Sequence, residues 1–183
     1  HQDGLDLQER PVLVLFDGWT SFFRDQVMPW RMAMAERMRT QLETDTLPRF
    51  LEVQRWYAGK GSSVQRARLG DHAIWSQDGN EWMLPLLSID GPDEPATYFA
   101  PLALAWEDAD EERMKRLAPG GLARVRQQAN VGVMGDAFHD ETFCRAVVRA
   151  TIAYDPPGGT MGKLFAKLLR REPRIQSRYE LRR

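Results

Sequence analysis

Gly158-Gly159-Thr160-Met161-Gly162-Lys163 comes closest to a reactive motif, because its order approaches a phosphate-binding loop. That loop needs a glycine six residues before its lysine and a Ser or Thr directly after it, the hydroxyl serving magnesium. The chain has Pro157 and Leu164 at those positions, so the match fails. The three histidines, His1, His72 and His139, lie far apart and form no His-x-x-x-His pair, so no metal site is assigned. His139-Asp140-Glu141 reads as a helix start, where acids complement the helix dipole. Cys144 stands between Phe143 and Arg145 with only His139 near it in sequence, and reads as a small buried hydrophobe. A protein-kinase-like centre needs a catalytic-loop Asp, a metal-binding Asn and a second metal-binding Asp. The His-x-Asp…Asn pattern is absent, so no catalytic residue is assigned and the chain alone is expected not to transfer phosphate.

Composition sets the frame for these residues. With 183 residues, 43% apolar and 28% charged, the chain has the make-up of one globular domain with appendages. One cysteine allows no intrachain disulfide, and the first ten residues are polar and acidic, unlike a signal peptide. No apolar run approaches the ~20 residues needed to span a bilayer. A cytoplasmic protein without membrane or nucleic-acid partners is the expectation. The net charge of −1 is unevenly spread. Residues 153–183 hold eight Lys/Arg against three acids, a surplus of +5, which leaves −6 on the first 152 residues. Such asymmetry marks the tail as a separate piece or an interaction surface.

Several elements are legible. Residues 11–16 form a short apolar run ended by Asp17-Gly18, one strand and a turn. Residues 30–43 favour a helix by propensity, and Thr46-Leu47-Pro48 predicts a second helix with Thr46 as its N-cap. That helix runs into Gln54-Arg55-Trp56-Tyr57 and stops at Ala58-Gly59-Lys60-Gly61. Residues 64–75, 81–89 and 96–106 are extended segments separated by Asp78-Gly79 and Gly91-Pro92 turns. Residues 107–117 and 139–151 read as helices, and 123–135 is open between strand and loop. After the breaker cluster at 154–159 comes a basic amphipathic helix with Met161, Leu164, Phe165, Leu168 and Leu169 on one face. The predicted fold class is α+β: an antiparallel meander with helices packed on one face, plus the C-terminal amphipathic helix.

Two stretches are more specific than any of these. Leu47-Pro48-Arg49-Phe50-Leu51 followed by Gln54-Arg55-Trp56-Tyr57-Ala58-Gly59-Lys60 resembles the signature of the maltokinase N-terminal cap. Tyr98-Phe99-Ala100-Pro101-Leu102 resembles that family's next strand, and Val131 to Phe138 with Phe143-Cys144-Arg145 its last segment. The order of these segments over residues ~11–150 is also the family's. The strand before the cap, ending Asp17-Gly18-Trp19, resembles the end of a trehalose synthase. The tail, from Tyr154-Asp155-Pro156-Pro157 to Glu180-Leu181-Arg182-Arg183, resembles the end of a START-like (SRPBCC) cyclase or dehydrase.

The resemblance implies three parts: a synthase-like segment at 1–26, the cap at 27–152 and a START-like ending at 153–183. It implies a noncatalytic module of an enzyme that phosphorylates maltose to maltose 1-phosphate, on the route from trehalose to α-glucan. The chain is then a fragment or a rearranged product. ATP and magnesium would belong to a kinase core that this chain lacks, so no cofactor is expected here. The implied partners are that core and a trehalose synthase. Residues Gln54, Arg55, Trp56, Tyr57, Ala58, Gly59 and Lys60 would have a structural or docking role. For Arg55 the residues leave two readings, a charge offered to a phosphate or partner and a helix-end arginine paired with an acid. Alternatives from other classes are a START-like carrier or cyclase for a small apolar ligand and a basic-tailed interaction protein.

Overall fold

Alternation along two strands decides how this molecule is layered. In β3 (Asn80–Asp90), Met83, Leu87 and Ile89 face one core, while Trp82, Leu84 and Leu86 face another. In β5 (Leu102–Trp106), Leu102 and Leu104 join the first core and Ala103 and Ala105 the second. Strands buried on both faces need cover on both faces, which the helices provide. The computed structural model describes residues 6–59, 61–91, 95–152 and 175–176. The basic amphipathic helix and the START-like ending therefore lie outside the described residues, apart from two positions.

The elements run β1 (Leu13–Leu15), α1 (Met32–Gln41), α2 (Leu47–Glu52), β2 (Arg66–Gln77), β3, β4 (Ala96–Phe99) and β5. Then come α3 (Glu111–Leu117), β6 (Gly121–Gln127), β7 (Asn130–Asp136), α4 (Glu141–Ile152) and β8 (Ile175–Gln176). The fold is α+β, and the meander β2–β3–β4 is antiparallel, as expected from the sequence. β3 pairs with β4 through Leu86–Ile89 and with β5 through Trp82 and Met83, so the sheet curls around this strand. Two pairings are parallel: β1 with β6 and β8 with β4. Residues 123–135 resolve into a hairpin of β6 and β7, whose two-residue turn holds Gln128 at φ +54°.

The helices divide between the two faces. α1 and α2 cover the first, burying Leu47, Phe50 and Leu51 against Leu13, Leu87 and Tyr98. α3 and α4 cover the second, with Leu117, Phe143 and Ala146 against Trp75, Trp82 and Leu84. Trp82 is fully buried and lies 5.5 Å from both Trp75 and Phe143, centroid to centroid. Trp75 reaches this face only because β2 carries a bulge. Leu69 is opposite Leu87 but His72 is opposite Pro85, one extra residue on β2. The extra residue reverses the side-chain parity beyond it, since alternation has a period of two. Ala67 and Leu69 thus serve the first core, and Trp75 the second.

Thr46 does not cap a new helix. Its backbone is α-helical (φ −65°, ψ −54°), its side chain makes no capping bond, and Leu42–Thr46 is a π-turn joining α1 to α2. The Leu47 amide donates to the Leu42 carbonyl. The wider turn passes Pro48, which has no amide hydrogen and would crowd the carbonyl four residues back, without ending the helix.

That π-turn places Glu43, 3% exposed, against the edge of β2. Its Oε1 accepts from Arg66 Nη2 at 2.7 Å and its Oε2 from the Leu69 amide at 2.7 Å. Arg39, one turn earlier, lies 3.6 Å from the same carboxylate and donates to the Leu69 carbonyl at 2.6 Å. Both outward backbone groups of Leu69 are thereby satisfied by helix side chains, which covers an edge otherwise open to strand pairing.

The second face has its own carboxylate. The fully buried side chain of Asp140 accepts from Trp82 Nε1 at 2.9 Å, from Arg113 Nη2 at 2.6 Å and from the Thr142 amide at 3.1 Å. It caps α4 while tying it to β3 and α3. Burial by itself pushes this carboxyl up. The bonds from Arg113 and Trp82, the Arg113 charge and the Thr142 amide outweigh it and hold the pKa below the ordinary carboxylate value.

Two stability effects follow. Replacing Glu43 by Ala leaves the Arg66 guanidinium and the buried Leu69 amide without their acceptor, removes the charge beside Arg39, and should cost about 3 kcal/mol in urea unfolding; a loss under about 1 kcal/mol would contradict the clamp. Asp140, with its pKa lower in the fold, contributes fully above the unfolded carboxyl value of about 4 and loses its contribution as pH falls through the folded value. Unfolding free energies measured between pH 5 and 2, all approximate limits, should therefore fall less steeply in Asp140→Asn than in the parent chain.

Candidate functional site

α2 ends at Glu52, five residues before Tyr57, so Gln54 to Gly59 form a loop rather than a helix end. Hydrogen bonds shape it: the Gln54 amide donates to the Leu51 carbonyl and the Tyr57 amide to the Gln54 carbonyl. Its far side is closed by the Val64 amide on Glu52 Oε1 at 3.0 Å. Gly61 (φ +85°), rather than Gly59, supplies the left-handed turn. Gly59 is required for a different reason, since a Cβ there would sit 2.5 Å from the Tyr57 hydroxyl oxygen. Lys60 lies outside the described residues.

The loop is pinned by rings. Trp56 packs edge-on against Phe50 (6.3 Å, 62°) and obliquely against Tyr98 (5.9 Å), which also meets Tyr57 at 5.5 Å. Tyr98 is the hub, nearly fully buried in β4. Burial raises its hydroxyl pKa, offset in part by the Ala58 backbone hydrogen bond. Pairs of this geometry add roughly 0.5–1.5 kcal/mol each beyond area burial. A cavity of about 10 Å³, room for about one water, lies beside them between Phe50, Trp56, Phe99, Pro101, Asp136 and Phe138. Four separate stretches, around residues 47–51, 54–59, 98–102 and 131–138, therefore meet at one place.

The polar groups of this loop are unequally used. Trp56 Nε1 is buried with no acceptor among the described residues. Arg55 is exposed and has no acidic partner among the described residues. No side chain here stands as a nucleophile beside a base. Cys144 is half-buried, with Sγ 3.5 Å from the Phe138 carbonyl; burial, then Asp140 and Asp136, raise its thiol pKa. A raised thiol is a poor nucleophile, in keeping with a packing role. His139 packs its ring on Gly120. Among the described residues no group of three His, Cys, Asp or Glu is placed to hold a metal.

A larger cleft of about 160 Å³ opens between α3 and the start of α4, lined by Arg113, Arg116, Arg145, Asp110, Glu112 and Glu141 among others. Arg113 is bound to Asp140, and both Arg116 and Arg145 are bound to Glu141. These charges neutralise one another within the protein. Sequence reasoning placed Asp140 at a helix start, where it caps α4, but missed its burial against Trp82 and Arg113, and missed Glu43 and Arg113 altogether. Arg39 and Glu43 have the spacing of any exposed helical ion pair.

A family model described as the maltokinase N-terminal cap domain matches residues 50–140. The chain carries a maltokinase N-terminal cap domain. No curated protein and no solved structure matches it. The matched range begins at Phe50, in the ring cluster, and ends at Asp140, the carboxylate that caps α4. Within the cap domain, the loop from Gln54 to Gly59, the Tyr98 strand and β7 carry the segments that resemble the family. A domain of this description belongs with a maltokinase core in the same polypeptide. No helix among the described residues is long and apolar enough to cross a membrane.

The Trp56 geometry makes a sharp distinction testable. Its ring fills space between Phe50 and Tyr98, while its N–H has no acceptor among the described residues. Trp56→Phe should change stability by less than about 1 kcal/mol, whereas Trp56→Ala should cost about 2 kcal/mol or more through the cavity it leaves. Thermal unfolding of both variants would check this, and equal losses would show that the indole N–H does have a partner.

Proposed function

We propose that this chain is a noncatalytic cap module of a maltokinase, supporting ATP-dependent phosphorylation of maltose to maltose 1-phosphate by a kinase core in the same polypeptide. The observation that carries this reading is the family match over residues 50–140, centred on a loop built for rigidity rather than for reaction. Gln54, Trp56, Tyr57, Ala58 and Gly59 act structurally, holding one face of the cap in a fixed shape. ATP and magnesium belong to the core, where the phosphate-handling groups missing from this sequence would reside. A trehalose synthase that supplies maltose fits as the further partner, and the cytoplasm as the compartment. Nothing in the described residues favours a START-like carrier: both faces of the sheet are filled by helices and large side chains such as Trp82 and Tyr98.

Phosphoryl transfer from Mg-ATP to maltose, followed for the purified chain with and without a separately produced maltokinase core, tests the proposal. The chain alone should be inactive, and adding it should change the rate or maltose affinity of the core. Turnover by the chain alone would refute a noncatalytic role.

A further inference from the structure

Among the described strands β2 pairs with β3 alone, and β6 with β7 and β1, so no ladder joins β2 to β6. Residues 7–23, which precede the matched range, make that connection. At one end the Leu7 carbonyl accepts from Arg124 Nε of β6 at 3.2 Å, and β1 lies parallel to β6. β1 thereby takes an edge that β6 would otherwise expose. The Gly18 amide then donates to the side chain of Gln127, the last residue of β6, at 2.8 Å. At the other end Trp19 Nε1 donates to the Glu81 carbonyl of β3 at 3.4 Å, and the Phe23 ring stacks 3.9 Å from that of His72 in β2. Leu13, Leu15, Trp19, Phe22 and Phe23 are buried and share the first core with Val125 and Met134. Ser21, fully buried, accepts from the Phe16 and Asp17 amides at 3.1 and 2.9 Å, which locks the turn at Gly18 (φ +46°) from within.

We propose that residues 7–23 are a strap belonging to the cap, closing its curled sheet from β6 to β2, so that a domain joined ahead of Leu7 is held at a fixed orientation instead of swinging on a linker. This rests on the cap reading for the identity of the unit and names how an upstream partner is attached to it. Domain boundaries fall where the chain is exposed and few contacts cross. Residues 13–23 have the opposite character, with apolar side chains in the core and polar groups bonded to β3 and β6. The resemblance separates residues 1–26 from the cap, whereas the packing joins residues 7–23 to it. A segment that bridges two hairpins of one sheet opens only when they part, so its stability is that of the whole unit.

The test is native-state hydrogen exchange of the full 183-residue chain, read amide by amide. The amides of Phe16, Gly18 and Phe23, held by Ser21, Gln127 and Thr20, should exchange within about tenfold of the slow amides of β6 and β7. Exchange about a hundredfold faster or more would mean a linker resting on the surface and would overturn the inference. Phe22→Leu should lower the melting temperature and speed exchange in residues 13–23, β6 and β7 alike. Val14→Ala, at a side chain 52% exposed on the same segment, should do neither. Faster exchange in Phe22→Leu confined to residues 13–23 would also overturn the strap, because the sheet would then hold without it. None of these readouts needs a kinase core. Failure of the maltose phosphorylation assay would remove the cap's role and leave the strap standing, and fast exchange at Phe16, Gly18 and Phe23 would do the reverse.

Discussion

Glu43 is a charged group in a place where charge is expensive, and much of the first face is arranged to receive it. It sits in a π-turn that a regular helix would not contain, and that turn aims the carboxylate at the edge of β2. There it meets Arg66 from the strand and the amide of Leu69, while Arg39 binds the Leu69 carbonyl. A buried carboxylate is tolerable only when most of its lone pairs are occupied. The consequence is geometric as much as energetic: α1, α2 and β2 cannot slide relative to one another without stripping a charge of its partners. The bulge follows directly after this anchor point, so the clamp also fixes where the parity of β2 reverses.

Parity is what lets one sheet carry two cores. Ahead of the bulge β2 faces the helices α1 and α2; beyond it, Trp75 joins Trp82 and Phe143 under α3 and α4. Asp140 closes the second face as Glu43 closes the first, binding the Trp82 indole on one side and Arg113 on the other. Each face thus has a hydrophobic mass and one satisfied carboxylate that fixes helix to strand. Such polar contacts add less net stability than the apolar burial around them, but they define a register that oily surfaces alone leave loose.

The loop after α2 inherits its rigidity from this frame. Tyr98 belongs to β4, which is held in place through β3, and Phe50 belongs to the helix that the Glu43 turn launches. Trp56 and Tyr57 are held between them. A surface loop whose backbone is this constrained is a poor candidate for a moving lid and a good one for a fixed contact surface.

By itself the sequence determined the class of the fold, the β2–β3 hairpin and the family. Asp78-Gly79 makes that hairpin because both residues accept positive φ, and they do so here at +50° and +78°. The motif from Gln54 to Lys60 was legible because its residue order is specific, independent of any contact. The β6–β7 hairpin was not legible, since Gln128-Ala129 lacks the residue types that favour positive φ. Thr46 and Pro48 look like a helix start, and only packing of both helices on the sheet made a π-turn the better solution. Glu43 and Asp140 are ordinary acids in the sequence. Tertiary structure alone decided that they are buried, because burial depends on which distant strand arrives beside them.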